Sequence, residues 1–204
     1  MTATERPGEA LLDLVEVMDR LRRECAWTAQ QSHASLARYV LEEAHEVLDA
    51  LDSGDPEALR DELGDLLMQV VFHARIAVEA GDAGFDIDDV ARAIAGKLRR
   101  RNPHVFADGD ARTPEEIDAA WQAVKAAERA EQGERAASVH DGIPTTLPAL
   151  AYADKVLKRL GDPGADELAG PDIGSRLLAL VAEARAAGVD PEEALRRTTR
   201  SLGS

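Results

Sequence analysis

The sequence predicts an all-α fold, and three observations carry that prediction. Apolar residues make up 45% of the chain but aromatics only 3%, so burial rests on Ala, Leu and Val, a set suited to closely packed helices. Apolar positions recur at spacings of three and four along most of the chain, the period of a helix with one face turned to a core. No persuasive alternation of apolar and polar residues marks a strand.

The elements follow in order. Leu11, Leu14, Val15, Met18 and Leu21 in "EALLDLVEVMDRLRRE" make a first amphipathic helix. "CAWTAQQSHAS" reads as irregular, and Leu36 to Leu51 as the second helix, broken by the turn "SGDP" at 53–56. The third helix runs from about Pro56, well placed at a first turn, to about Ala80, where Gly81 ends it. A fourth covers "DIDDVARAIAGKLRRR" and stops before Asn102-Pro103. In "TPEEIDAAWQAVKAAERAEQ", Thr113 caps a fifth helix and Pro114 opens its first turn.

Beyond these lies a loop-like stretch ending in "HDGIPTTLP", which we read as a linker over 133–148 between a domain at 9–132 and a tail at 149–204. The tail carries shorter helices in "LPALAYADKVLKRL", "DIGSRLLALVAEARAAG" and "DPEEALRRTTRSL", parted by the Gly- and Pro-rich "GDPGADELAGP". Placing residue 62 on residue 172 matches Gly64 to Gly174, Leu67 to Leu177, Val71 to Val181 and Ala74-Arg75 to Ala184-Arg185. The tail therefore reads as a faint second copy of the third helix and its surroundings.

With 204 residues, one domain plus an appendage is the default. The formal net charge of -15 disfavours nucleic acid and anionic membranes as partners. The single cysteine, Cys25, excludes an internal disulfide framework. With no secretory signal and no run of membrane-spanning length, it points to the reducing cytoplasm.

The chemistry concentrates in the second and third helices, which read "EExxE" and then "ExxD". A spacing of three puts Glu43 with Glu46, and Glu62 with Asp65, on one helix face each. In an antiparallel hairpin, residues at one height have position numbers of constant sum. Glu46 with Glu62 and Glu43 with Asp65 share that sum, at heights about 4.5 Å apart by helical rise. Four carboxylates thus converge among leucines and valines, and they need a counter-charge. A hard divalent cation such as magnesium takes oxygen ligands and leaves positions for water and phosphate. Asp49, Asp52, Asp55, Glu57 and Asp61 fit a solvated face instead, and His45 and His73 fit packing or surface roles.

Lys97, Arg100 and Arg101, at the end of the fourth helix, share roughly one side. They suit either the helix dipole or a triphosphate beside the metal. No "GxxxxGK" phosphate loop occurs. Trp27 is the aromatic best placed to stack on a base, or else a packing anchor.

Taken together, "CAWTAQQSHASLARYVLEEAHEVLDAL", "ELGDLLMQVVFHARIA" and "KLRRRNPHVF" resemble the MazG family of nucleoside triphosphate pyrophosphohydrolases, from about residue 10 to 130. The resemblance implies an all-α fold of the dimeric dUTPase type, completed by a homodimer. It also implies magnesium-dependent cleavage, with manganese as a possible substitute, of (d)NTPs between the α and β phosphates. Glu43, Glu46, Glu62 and Asp65 then correspond to metal ligands, Glu42 to an acid assisting a second metal or the attacking water, and Lys97, Arg100 and Arg101 to phosphate contacts. Two departures stand out. Cys25-Ala26-Trp27-Thr28 replaces the usual "CPWD", and the second copy offers only Asp172-Ile173-Gly174-Ser175 with no preceding acid pair, so it reads as a shortened relic without metal ligands. The competing functions are a non-catalytic helical module with a structural ion, and a phosphoribosyl-ATP pyrophosphatase-like hydrolase.

Overall fold

In the computed structural model, which describes residues 8–131 and 138–202, the chain is helical with no strand among those residues. Eleven α-helices follow one another there: α1 (Glu9–Glu24), α2 (Ala26–Ala29), α3 (His33–Ser53), α4 (Pro56–Ala77), α5 (Ile87–Arg101), α6 (Pro103–Phe106), α7 (Pro114–Glu131), α8 (Ala149–Arg159), α9 (Ala165–Leu168), α10 (Ile173–Ala186) and α11 (Pro191–Arg200). They form two compact units, residues 1–125 and 126–204.

The long helices lie where periodicity places them, and the differences are at their ends. The stretch "CAWTAQQSHAS" is not wholly irregular: it holds α2, and α3 starts at His33, three residues early. Its start is set by a reciprocal cap. The Ser32 side chain accepts from the Ser35 amide at 3.2 Å, and Ser35 Oγ accepts from the Ser32 amide at 2.9 Å. Helix α4 gives way at Ala77 to a 3₁₀ turn, Val78–Ala83, in which Gly81 takes a φ of 61°. Gly84 then passes so close to the Ala77 carbonyl that a Cβ there would lie 2.2 Å from its oxygen. The short helices α6 and α9 carry too few residues for any period to show.

The first unit is built on the α3–α4 hairpin. Gly54, at φ 70°, turns the chain out of α3, and Asp55 caps α4 by accepting from the Glu57 amide at 2.9 Å. Met18, Leu36, Val71 and Phe72 form the buried core, flanked by Leu14, Val15, Tyr39, Met68, Ile76 and Ile87. An ion-pair network ties α1 to the end of α4: Arg22 donates to both oxygens of Glu79 at 2.8 Å, and Arg75 to Asp19 at 2.7 Å and Glu79 at 3.2 Å. Arg22 also donates to the Thr28 and Gln31 carbonyls, which locks the segment leading into α3.

The second unit packs Leu157, Val181 and Ala182 against Leu150, Ala153, Ala165, Leu168 and Leu178. Arg185 bridges Asp154 and Asp162. Part of the expected linker, 133–137, lies outside the described residues. The remainder belongs to the second unit, where Ile143 is buried and Arg159 donates to the Val139 and Asp141 carbonyls at 2.6 and 2.5 Å. The boundary at 125/126 therefore falls within α7, ahead of the expected linker.

Candidate active site

The hairpin register brings the acids together. Glu43 of α3 and Glu62 and Asp65 of α4 each present a carboxylate oxygen such that all three lie within 4.8 Å of one another. Among the described residues this is the one group of three or more potential ligands so arranged. Both helices run unbroken through the site, so the spacing of three on α4 puts two acids on the face that meets α3.

The electrostatics are those of crowded like charges. Burial first, then the Asp65 carboxylate, pushes the Glu43 carboxyl above its ordinary value, and Glu46 adds to the effect. Burial likewise raises Glu62, followed by the charges of Glu46 and Asp65. Glu46 is thus close enough for its field to act on both, although it is exposed and stands outside the tight group of three. Glu42 is exposed and also outside that group. The geometry groups three of the five acids singled out from sequence.

A residue absent from the sequence reading completes the floor of the cluster. Gln69, one turn beyond Asp65, is only 4% exposed, and its Nε2 donates to Glu43 Oε1 at 3.4 Å. Its own Oε1 is buried without a partner. A buried amide oxygen left unmatched beside three carboxylates calls for a donor or a cation there. Hard oxygen donors in this number fit a magnesium-type ion better than a thiol- or imidazole-seeking metal. The only sequence signal for Gln69 was its position four after Asp65, a polar residue amid "LLMQVVF".

The histidines are engaged elsewhere. His45 Nδ1 lies 2.7 Å from the Leu41 carbonyl of its own helix, and His73 pairs with His33 at 2.8 Å with rings stacked 5.1 Å apart.

Lys97 and Arg100 are exposed toward the end of α5, and Arg101 is half-buried with its guanidinium 5.4 Å from the centre of the Trp121 ring. Trp121, on α7, carries no sequence signal beyond its helix, yet its ring meets the Arg101 guanidinium of the basic cluster. Trp27 is 52% exposed and meets Tyr39 edge-on at 6.0 Å. Tyr39 is one turn before Glu43 on α3 and packs against the core of the first unit. Beside Trp27, Thr28 turns inward: it is buried, and its hydroxyl donates to the Leu21 carbonyl at 2.5 Å. The residue standing where the resemblance expects an acid is thus committed to the end of α1.

In the second unit, the counterparts of Glu62 and Asp65 start a helix. Asp172 accepts from the Ser175 amide at 3.0 Å and from its hydroxyl at 2.5 Å, capping α10. Helix α4 begins six residues before Glu62, whereas α10 begins one after Asp172.

Residues 31–106 match the family model described as the MazG nucleotide pyrophosphohydrolase domain. The chain is 48% identical, over 93% of its length and 78% of the other's, to an uncharacterized 26.1 kDa protein of Streptomyces cacaoi. It is 44% identical to a nucleoside triphosphate pyrophosphohydrolase of Mycobacterium tuberculosis, covering 93% of this chain and 54% of that one. To the nucleoside triphosphate pyrophosphohydrolase/pyrophosphatase MazG of Thermotoga maritima it is 35% identical, covering 93% of this chain and 81% of that one. The chain thus spans about half the length of the mycobacterial relative.

Proposed function

Because this chain belongs to the MazG nucleotide pyrophosphohydrolase family, we propose that it hydrolyses (d)NTPs at the α–β phosphoanhydride, releasing a nucleoside monophosphate and pyrophosphate. The observation that carries this reading is the convergence of Glu43, Glu62 and Asp65, with the buried Gln69 donating to Glu43. Glu43, Glu62 and Asp65 would hold magnesium, or manganese in its place, with Glu46 as a fourth acid. The bound ion would supply Lewis-acid polarisation of a phosphoryl oxygen. Gln69 restrains Glu43, keeping one carboxylate aimed at its neighbours. Glu42 lies on α3 beside Glu43 and offers an acceptor for a proton of the attacking water.

Lys97, Arg100 and Arg101 would offset charge on the departing pyrophosphate. Trp27, packed on Tyr39, and Trp121, beside Arg101, offer faces on which a base can stack. The physiological role we infer is nucleotide-pool sanitation in the cytoplasm. No described helix is long and apolar enough to cross a membrane, and the charge of -15 argues against a nucleic-acid partner.

We also infer a homodimer. Leu41, Leu48, Leu51, Leu63, Leu67 and Val70 on α3 and α4 are each at least 36% exposed, an apolar face that a second copy would cover. The second unit we read as a repeat that has lost its metal ligands, since Asp172 and Ser175 are spent on capping.

The decisive experiment incubates the protein with mixed dNTPs and magnesium and follows pyrophosphate. Release by the wild type and none by Glu43→Ala/Glu62→Ala is expected. No release, or equal release by the variant, would favour a structural-ion module, and a panel including phosphoribosyl-ATP separates the related hydrolase.

A further inference from the structure

The segment between α1 and α3 carries Trp27 and is bonded to two neighbours. Toward α1, Arg22 donates to the Thr28 and Gln31 carbonyls, and the Thr28 hydroxyl donates to the Leu21 carbonyl. Within the segment, Gln31 Nε2 donates to the Trp27 carbonyl at 3.0 Å, and Ser35 Oγ donates to Gln31 Oε1 at 2.7 Å. Toward α4, the exposed His33 that opens α3 brings its Nδ1 to 2.8 Å from Nδ1 of the half-buried His73, with the ring planes 9° from parallel. Among the described residues this is the one hydrogen bond between α4 and the chain from Cys25 to Ser35.

Two ring nitrogens at 2.8 Å hold one proton between them. In the neutral pair, one Nδ1–H donates to the lone pair of the other Nδ1. A first added proton goes to the free Nε2 of the donor ring, and the bond survives as a charge-assisted one. The accepting ring already carries its proton on Nε2, so a second added proton has only the accepting Nδ1 to take. That proton turns the acceptor into a donor, sets N–H against N–H and puts two positive rings in contact. The bond therefore breaks with the second proton.

We propose that His33 and His73 form a pH-sensitive clasp, which ties the Trp27 segment to α4 while the two rings share one proton and releases it when both are protonated. Burial, then the charge of His33, holds the His73 imidazole below its ordinary value. The clasp's contribution to stability is therefore complete above the ordinary histidine value of about 6.5 and is lost as pH falls through the lowered one. That sign is opposite to the one set by Glu43 and Glu62. The charged groups on the surrounding elements are engaged with one another. On α1 and at the end of α4, Asp19, Arg22, Arg75 and Glu79 form one network. Arg38 of α3 lies over the Tyr39 ring, and Asp86 and Asp89 cap the start of α5. In the segment itself, the amides of Thr28 and Trp27 hold the Cys25 thiol below its ordinary value. His33 is the one group whose charge acts on His73. The effect of the clasp on base stacking by Trp27 rests on the function proposed above, whereas the clasp itself does not.

The test follows amide hydrogen exchange of residues 26–33 in the full chain at about pH 7.5 and about pH 5, either side of the ordinary histidine value, corrected for the intrinsic effect of pH. The wild type is expected to lose about fivefold in protection across that range, the scale of one hydrogen bond. His33→Gln, at an exposed position, keeps a bond to His73 through an amide that takes no proton, so its protection is expected to stay constant. His33→Ala removes the bond and is expected to show the low protection at both pH values. Cys25 and the acidic cluster are common to all three proteins and cancel in the comparison. The readout needs neither substrate nor metal, so it stands or falls apart from the hydrolysis proposed above. Equal wild-type protection at both pH values, the same fall in His33→Gln as in the wild type, or His33→Ala matching the wild type at the higher pH would each overturn the proposal.

Discussion

Gln69 Nε2 donates to Glu43 Oε1 across the α3–α4 interface at 3.4 Å, while the other end of the same buried amide has no partner. An amide so placed restrains one carboxylate and keeps a buried acceptor unmatched. Gln69→Met keeps the volume and the helix but removes both functions. It is expected to retain the far-UV spectrum and to weaken binding of manganese by about tenfold, the usual scale for losing a group that orients a ligand. Titration followed by electron paramagnetic resonance reads this without turnover, and unchanged affinity would remove Gln69 from the site.

The raised carboxyls of Glu43 and Glu62 give stability a pH dependence of definite sign. Their folded values lie above the unfolded ones, so the ion-free folded state holds protons more tightly than the unfolded chain. Stability is lost as pH rises from the ordinary carboxylate range through the raised values. A bound divalent cation favours the ionised forms. The rise in Tm caused by magnesium is therefore expected to grow as pH climbs from the ordinary carboxylate range through the raised values, and Glu43→Gln to raise the Tm of the ion-free protein at neutral pH while shrinking the magnesium effect. A magnesium shift independent of pH would contradict the assignment.

Arg22 is the most buried cation of the α1–α4 network, its side chain 9% exposed, against 44% for Glu79. Arg22→Ala takes the side-chain donor from the Gln31 carbonyl, leaves the Thr28 carbonyl with only the Gln31 amide, and leaves Glu79 with Arg75 as its cation. The half-exposed partner regains water, which moderates the loss. A cost of about 2 kcal/mol is expected in urea unfolding, with α2 and the start of α3 losing hydrogen-exchange protection first.

Arg101 and Trp121 should act as a unit. If both serve the substrate, Arg101→Ala and Trp121→Ala each raise KM, and the double variant raises it by less than the product of the two. The expected coupling is about 1 kcal/mol, the scale of a cation on an aromatic face. Independent effects would mean that the contact is only packing.

The sequence by itself determined what repeats along one helix or across one tight turn. Periodicities of three and four fixed the order of the long helices. With Gly54 and Asp55 closing a short connection, the positions of Glu43, Glu62 and Asp65 sufficed to place them together, because a hairpin turns sequence distance into height. Its limit is visible in Glu46, which shares the register but stands outside the tight group, since a side chain at the right height can still angle toward water.

Only the tertiary structure decided the rest. Gln69 looked like one polar letter in an apolar run until burial showed its amide facing Glu43. Trp121 meets Arg101 across the loop between α5 and α7, and Thr28 turns its hydroxyl to Leu21 instead of outward. These contacts join segments whose relative placement depends on loop geometry and competing side-chain packing, and no local period encodes either.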